Sequence, residues 1–455
     1  MRPTPSPTGG GGDPDPRRSE WIDASRGACV VAVVLLHVCL WQYRPWRASV
    51  WTPAADGWAW VNGYLAAVRM PLLLTVSGLL AARRVALGWG SPAALVRAGG
   101  SAWLYVVWLV VYAAFYAAMP PGPLPHRIEG IGDVARQLVA PETPLWYVFA
   151  LACYIVVMTS VRQLPTWVVV GSLTVLSIAV QTWWTGDRMT AKVPELAVFF
   201  ALGVRFAAPV RARVPHLGPV QIGALAVFAA ANVLMARLVL PAVPDAALDL
   251  LRGLALAAFA VAAVTVAVRW RPLGSLSTSI GRRTLPVYVL HLPLLLLAVV
   301  LLGDRPPAAL GRAVATPGVA ALWPLVMTGL VITASLVVHR AMLTARLGVL
   351  FAMPARIGDG LTAVHARLTG PDPLGGALPV AAVVPIAAVA AAPTTVTAAT
   401  VDSDVPVGVE VPLAPDAPVV PCAARPAPRC GARWPWWWST TGPRSCWHAI
   451  SRSWT

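Results

Sequence analysis

The segment EWIDASRGACVVAVVLLHVCLW, from Glu20 to Trp41, decides what kind of fold this chain adopts. Polar side chains near its start, among them Asp23 and Arg26, precede an apolar run that contains one ionisable group, His37. On a helix, Arg26 and His37 are separated by about 16 Å of rise, which is roughly half the hydrocarbon thickness of a bilayer. An ionisable side chain at that depth is a candidate for function. The alternative is a packing histidine that is hydrogen-bonded to a neighbouring helix.

The composition of the whole chain agrees with a membrane location. Of the 455 residues, 57% are hydrophobic and 12% are charged, whereas a soluble protein carries about 25% charged residues. The net charge of +16 does not indicate nucleic-acid binding, because the arginines are spread singly between apolar runs, as the cytoplasmic loops of a membrane protein require. The six cysteines show no CxxC pair, so we expect neither a metal site nor a disulfide framework.

Ten apolar segments are of the length that crosses a bilayer, several of them near the lower limit. They are Glu20–Trp41, Trp58–Ala82, Gly99–Met119, Leu145–Val161, Trp167–Trp183, Pro194–Ala208, Gly218–Leu240, Ala246–Val268, Leu285–Leu302 and Val319–Val338. The sequence therefore predicts an all-α, polytopic membrane protein with about ten transmembrane helices, surrounded by membrane lipid.

The loops between these segments predict the orientation of the chain. If the N-terminus is cytoplasmic, the inner loops contain arginines and no acidic residue, whereas the outer loops mix both signs of charge. This is the positive-inside pattern. It predicts a multi-pass protein of the cytoplasmic membrane with both termini in the cytoplasm.

The composition also divides the chain into three parts. Residues 1–19 are rich in Pro and Gly and predict a disordered leader. Residues 20–342 form the membrane domain. Residues 343–455 are of low complexity, rich in Ala, Val and Pro for much of their length, and we expect them to form a disordered tail.

Two further ionisable side chains lie within predicted spans. Arg69 is in the middle of its span, at a depth similar to that of His37, so the two could line one polar cavity. Snorkelling of Arg69, or its pairing with an acidic loop residue, is the alternative. His291 lies about two turns into a later span, with Tyr288 on the same helical face. A packing role for His291 is as plausible as a functional one.

Several motifs, in the correct order, together resemble the membrane-bound acyltransferase-3 family. WIDASRGACVVAVVLLHV is similar to the Asp–x–x–Arg–Gly opening and the Arg–x10–His signature of the family. PLLLTVSGLL, PLWYVFAL and AVFFALGVRF resemble three internal segments, and IGRRTLPVYVLHLP resembles the late segment that ends in His. One departure concerns the start of the third span, where Gly100 follows Arg97 in place of a second basic residue, and Leu104-Tyr105 replaces a Pro-Tyr pair.

The resemblance implies transfer of an acyl group from cytoplasmic acyl-CoA, with acetyl-CoA the expected donor, to a hydroxyl of a carbohydrate, another cell-envelope molecule or a secondary metabolite. O-acetylation and carbohydrate modification are thus the expected chemistry, with no metal and no nucleic-acid partner. His37 would be the general base, assisted by Arg26 and by Asp23, which fixes Arg26. The residues expected to bind the CoA phosphates are Arg83, Arg84 and Arg97. The residues expected to bind the acceptor or the carbonyl are Arg69, Ser77, Trp146, Tyr288 and His291.

A transporter or flippase for a lipid-linked or small polar substrate is the alternative function. Such a protein typically places acidic groups for proton coupling near the middle of several helices. The predicted spans contain almost no such acids, since Glu195 and Asp249 lie near the outer ends. The sequence therefore favours the enzyme.

Overall fold

The computed structural model describes residues 17–238, 245–303 and 305–370. Within these ranges the chain is helical and contains no strand, which confirms the predicted all-α class. The first helix begins at Arg17, inside the segment predicted to be a leader. The remainder of that leader and the tail from residue 371 onward lie outside the described residues.

The described chain consists of fifteen α-helices with short 3₁₀ and π segments between them. The first eight are α1 (Arg17–Val38), α2 (Thr52–Leu87), α3 (Pro92–Ala118), α4 (Ile131–Gln137), α5 (Trp146–Ser160), α6 (Thr166–Trp183), α7 (Arg188–Arg205) and α8 (Ala207–Arg213). The others are α9 (Pro219–Leu238), α10 (Asp245–Ala267), α11 (Arg271–Arg282), α12 (Thr284–Leu302), α13 (Ala308–Val314), α14 (Pro317–Thr344) and α15 (Ala355–Thr369). A π-helix at Cys39–Tyr43 directly continues α1.

Each of the ten predicted spans coincides with an apolar helix. Seven of the described helices are long and apolar enough to cross a membrane, and the bent pair α7–α8, with an angle of 67°, would make an eighth span. Two shorter apolar helices, at Trp146–Ser160 and Pro219–Ala231, account for the other two predicted segments. The multi-pass architecture and the helix positions are thus confirmed, and seven or eight of the described helices meet the length requirement for a span.

Local sequence explains where several of these helices begin and end. The Asp187 carboxylate accepts hydrogen bonds from the backbone N–H groups of Met189 and Thr190, at 2.8 and 3.0 Å, and so caps α7. α2 and α12 each end at a glycine in the left-handed region, Gly88 (φ 66°) and Gly303 (φ 73°), a conformation that other residues adopt only with strain.

Two pairs of helices touch through their backbones. Gly78 of α2 and Gly203 of α7 face each other, and a Cβ atom on either would collide with a backbone carbonyl oxygen of the other helix. In the same way Gly27 of α1 and Gly281 of α11 leave no room for a side chain. Small residues at such crossings allow membrane helices to approach closely, with gains in van der Waals packing. The pairs α1–α11 and α2–α7 are consequently in direct backbone contact.

Ordered structure extends beyond the predicted end of the membrane domain at residue 342. The last turn of α14 passes that boundary, and α15 lies within the segment predicted to be a disordered tail. His365 of α15 is hydrogen-bonded through Nε2 to the Trp89 carbonyl at 2.7 Å, and the Trp108 indole N–H donates to the Leu350 carbonyl at 2.6 Å. The prediction of disorder from residue 343 is therefore wrong up to residue 369, because composition does not reveal these tertiary hydrogen bonds.

Candidate active site

His37 is at the centre of the most unusual polar group in the structure. Its side chain, only 8% exposed, extends from α1 towards α12, where its Nδ1 lies 2.8 Å from Nε2 of His291. The two imidazole rings are nearly parallel, with centroids 5.0 Å apart. Trp41, one helical turn further along, stacks on His37 at 4.4 Å. The sequence could not distinguish a functional from a packing role for His291, and the structure places it in direct hydrogen-bonding contact with His37.

Backbone and side-chain contacts fix His291 in turn. Its Nδ1 lies 2.6 Å from the backbone carbonyl oxygen of Tyr288, one turn earlier in α12. The Tyr288 hydroxyl donates to the Pro144 carbonyl. The Tyr112 hydroxyl of α3 donates to the Val289 carbonyl at 3.0 Å. Both tyrosines thus anchor the turn of α12 that carries His291.

Arg69 lies near His37 and has no partner. Its side chain is 7% exposed, it forms no hydrogen bond or ion pair with the described residues, and its Nη1 atom is completely buried. The guanidinium is within electrostatic range of His37 and of the Cys39 thiol. A buried cation without a counter-ion is costly, so this arrangement is what we expect of a group that meets an anionic or strongly polar ligand.

At the other end of α1, the charged side chains have hydrogen-bond and ion-pair partners. Arg26 donates from Nη2 to the Thr284 hydroxyl at 2.7 Å, and its Nη1 lies 3.7 Å from the Asp23 carboxylate. Asp23 also pairs with Arg282 of α11 at 3.4 Å. Asp23 is therefore placed with Arg26 and not with His37.

Three arginines from different helices approach each other near this end. Arg97 of α3 lies within electrostatic range of Arg26 of α1, Arg84 of α2 and the Tyr147 hydroxyl of α5. We call Arg26, Arg84 and Arg97 the basic cluster. Arg83, also predicted to bind the donor, is exposed, and no contact in the described structure brings it to the cluster.

Of the predicted acceptor-binding residues, Ser77 is connected to the site by a hydrogen bond, whereas Trp146 lies in the apolar core. The Ser77 hydroxyl donates to the Leu73 carbonyl at 2.7 Å, so the Tyr147 hydroxyl, 2.7 Å away, donates to Ser77. Tyr147 also packs edge-on against Tyr288, at 5.2 Å between ring centroids, and thus links the basic cluster to the His291 turn. Trp146 is packed in the apolar core formed with α2 and α7, and no described contact joins it to His37.

His126 covers the side of Trp41 from a loop between α3 and α4. Its ring meets Trp41 edge-on at 5.5 Å, and its Nδ1 lies 2.7 Å from the Glu142 carbonyl oxygen. Its backbone is in the left-handed region at φ 57°, which is strained for a residue other than glycine. Burial lowers the pKa of His126, and the hydrogen bond to Glu142 opposes that shift.

Sequence reasoning missed four residues of this site. Trp41 could have been found, since it is four residues after His37 and therefore on the same helical face. Thr284 could also have been found, because it is the hydroxyl residue within the quoted segment IGRRTLPVYVLHLP. Tyr147 lies in the quoted segment PLWYVFAL, but its contacts with Ser77 and Tyr288 arise only from tertiary packing. His126 also reaches the site through tertiary packing, and no motif contains it.

Comparison with known proteins identifies the family to which this chain belongs. A family model described as an acyltransferase domain, of the acyltransferase-3 type, matches residues 19–340, which is more than two thirds of the chain. The inner membrane protein YcfT of Escherichia coli (strain K12) is similar, with 25% identity over 208 residues. The alignment covers 42% of this chain and 57% of YcfT, so the chain spans little more than half of that relative. No solved structure matches. The matched region contains both His37 and His291, and the chain belongs to the acyltransferase-3 family of membrane acyltransferases.

Proposed function

We propose that this membrane acyltransferase moves an acyl group, with acetyl the expected one, from acyl-CoA to a hydroxyl of a carbohydrate, another cell-envelope molecule or a secondary metabolite. The observation that carries the proposal is the buried chain of hydrogen bonds from the Tyr288 carbonyl through His291 to His37, next to the unpaired Arg69. A general base for a hydroxyl must present a lone pair at a defined position.

The direction of these hydrogen bonds indicates which nitrogen of His37 carries the lone pair. A backbone carbonyl only accepts hydrogen bonds, so Nδ1 of His291 carries the proton. In a neutral ring Nε2 of His291 is then an acceptor, and Nδ1 of His37 donates to it. The lone pair of neutral His37 is consequently on Nε2, which forms no hydrogen bond within the described structure.

This assignment supports a direct transfer. Nε2 of His37 takes the proton of the acceptor hydroxyl while the hydroxyl oxygen attacks the thioester carbonyl carbon. The carbon–sulfur bond then breaks, and the CoA thiolate leaves and receives the proton from His37. Arg69 is suited to stabilise the negative charge that develops on the carbonyl oxygen, because it is buried and its Nη1 has no hydrogen-bond partner among the described residues.

The basic cluster supports a donor site at the other end of α1. Arginine binds phosphate through charge-assisted hydrogen bonds, and Arg26, Arg84 and Arg97 converge from three helices. The alternative for each of them is an ordinary cytoplasmic arginine under the positive-inside rule. The same rule favours a cytoplasmic N-terminus, which would place the basic cluster on the side of the membrane where acyl-CoA is available.

The test is acyl transfer by the full-length protein in lipid nanodiscs, with radiolabelled acetyl-CoA and an extract of cell-envelope and small-molecule acceptors from its native cell. We expect His37→Ala to insert normally and to lose transfer by about 10²- to 10⁴-fold, the usual contribution of a general base. His216→Ala is the matched control, because that histidine is exposed, in the 3₁₀ turn Val214–His216, and forms no described contact with His37 or His291. Transfer by His37→Ala at the rate of the control would contradict the proposal.

A further inference from the structure

Within the described residues, seven buried side-chain polar atoms have no hydrogen-bond partner, and three of the seven belong to side chains near Cys39. These three are Nε2 of Gln42, Oδ1 of Asn62 and Nη1 of Arg69, on side chains that are 2%, 0% and 7% exposed. The great majority of buried polar atoms in folded proteins are hydrogen-bonded, and each exception needs an explanation.

Hydrogen bonds formed by the other polar atoms of Asn62 and Gln42 show whether each unpaired atom is a donor or an acceptor. The Asn62 amide nitrogen donates to the Trp58 carbonyl at 3.0 Å, so the remaining Asn62 oxygen is a free acceptor. The Gln42 amide oxygen accepts from the Trp323 indole N–H at 3.0 Å, so the remaining Gln42 nitrogen is a free donor. Arg69 can only donate. The group therefore offers two donors and one acceptor.

Cys39 relates the three side chains to one another. Gln42 belongs to the same π-helix as Cys39, and such short π segments frequently occur at functional sites. The Asn62 side chain approaches the Cys39 thiol, and Arg69 is within electrostatic range of it. Asn62 and Arg69 are seven residues apart in α2, on one helical face. Arg69 is also within electrostatic range of His37, and Cys39 and Gln42 follow His37 in the chain, so the group extends from His37 in the direction away from Arg26.

We propose that Gln42, Asn62 and Arg69 form a subsite that holds a second hydroxyl of a polyhydroxylated acceptor, such as a sugar ring, while another hydroxyl reacts at His37. This inference rests on the proposed function. A hydroxyl can donate to Asn62 and accept from Gln42 or Arg69, whereas a carboxylate only accepts and an ammonium group only donates. The guanidinium of Arg69 has several N–H groups, so it can serve this subsite and the reacting carbonyl together.

Two variants remove the subsite with little other damage. Asn62→Leu keeps a similar volume and gives up one bond to a carbonyl of its own helix and a weak polar contact with the Cys39 thiol. Gln42→Met combined with Trp323→Phe removes both members of the buried hydrogen bond, and so leaves no new unpaired atom. Thr328→Val is the matched control, because the buried Thr328 hydroxyl is satisfied by the Pro324 carbonyl of its own helix.

The experiment measures transfer from radiolabelled acetyl-CoA to the extracted acceptor, with thermal melting of each full-length variant in nanodiscs. We expect both subsite variants to raise the acceptor KM by at least about 10-fold, with the acetyl-CoA KM and the melting temperature close to those of Thr328→Val. Periodate treatment of the acceptor, which cleaves neighbouring hydroxyls, should abolish transfer by the wild-type protein.

Three outcomes would overturn the subsite. They are an unchanged acceptor KM in both variants, melting temperatures far below that of the control, and wild-type transfer that survives periodate. Failure of the proposed function would look different, because the wild-type protein would then transfer no more label than His37→Ala.

Discussion

The two ends of α1 hold their charged and polar groups in opposite ways. At the Arg26 end, Asp23 and Arg26 are paired, and their side chains remain 22% and 28% exposed. At the His37 end, the imidazoles share a buried hydrogen bond, and Arg69 forms no hydrogen bond or ion pair with any residue that the structure describes. A partly hydrated ion pair can exchange partners at little cost, whereas buried polar groups are restricted to a few arrangements. The Arg26 end is thus suited to bind and release a charged donor, and the His37 end to hold a proton acceptor in one orientation.

The largest effect that tests this difference should come from His291. We expect His291→Leu to lower kcat by about 10- to 100-fold with little change in either KM, because His37 loses the acceptor that sets its tautomer. His291→Gln offers an amide oxygen to the same Nδ1–H group and should recover most of the activity. Steady-state kinetics of the two variants measures both effects.

A second measurement distinguishes whether His291 sets the tautomer of His37 or only packs against it. The nitrogen chemical shifts of His37 report which ring nitrogen carries the proton, and they should change in His291→Leu but not in His291→Gln. Equal loss of activity in both variants, with an unchanged tautomer of His37, would show that His291 acts only through packing.

An intermediate effect is expected at the Arg26 end. Arg26→Ala removes one charge from the basic cluster, and we expect the acyl-CoA KM to rise by about 10-fold, the value of one charge-assisted hydrogen bond, while the acceptor KM changes much less. Arg83→Ala provides the comparison, since Arg83 is a nearby exposed arginine outside the cluster. Equal changes in both KM values for Arg26→Ala would remove its assignment to the donor.

The smallest effect concerns the dependence of stability on pH. Because burial holds the pKa of His126 below its ordinary value of about 6.5, the unfolded chain binds this proton more readily than the folded protein does. The contribution of His126 to stability is complete above pH 6.5 and decreases as the pH falls towards the lowered folded value.

Melting temperatures at pH 7.5 and 5.5 measure this decrease. His126→Gln should lose less stability on acidification than the wild-type protein, and His216→Gln should behave like the wild type. If His126→Gln and the wild-type protein responded identically to pH, the neutral form of His126 would not contribute to stability. In that case the loop between α3 and α4 would not share the dependence on a neutral imidazole that we propose for the His37 end of α1.

The sequence predicted the helices well because bilayer thickness imposes a length on every apolar run. It predicted His37, Arg69 and His291 as exceptional because ionisable residues are rare within membrane spans. It could not predict the contact between His37 and His291, which are 254 residues apart, or the contact of His126 with Trp41. It also missed Gln42 and Asn62, whose importance depends on which of their atoms remain unpaired after folding. Such information arises only from tertiary packing.

The two glycine crossings hold the helices that carry His37 and Arg69 against two different neighbours. His37 is carried by α1, which touches the α11 backbone at Gly27, and Arg69 is carried by α2, which touches the α7 backbone at Gly78. Within each pair no side chain separates the helices at the crossing, so sliding one helix past the other would cause steric overlap. A side chain added at Gly27 would consequently force α1 away from α11 and so displace His37, whereas one added at Gly78 would force α2 away from α7 and so displace Arg69.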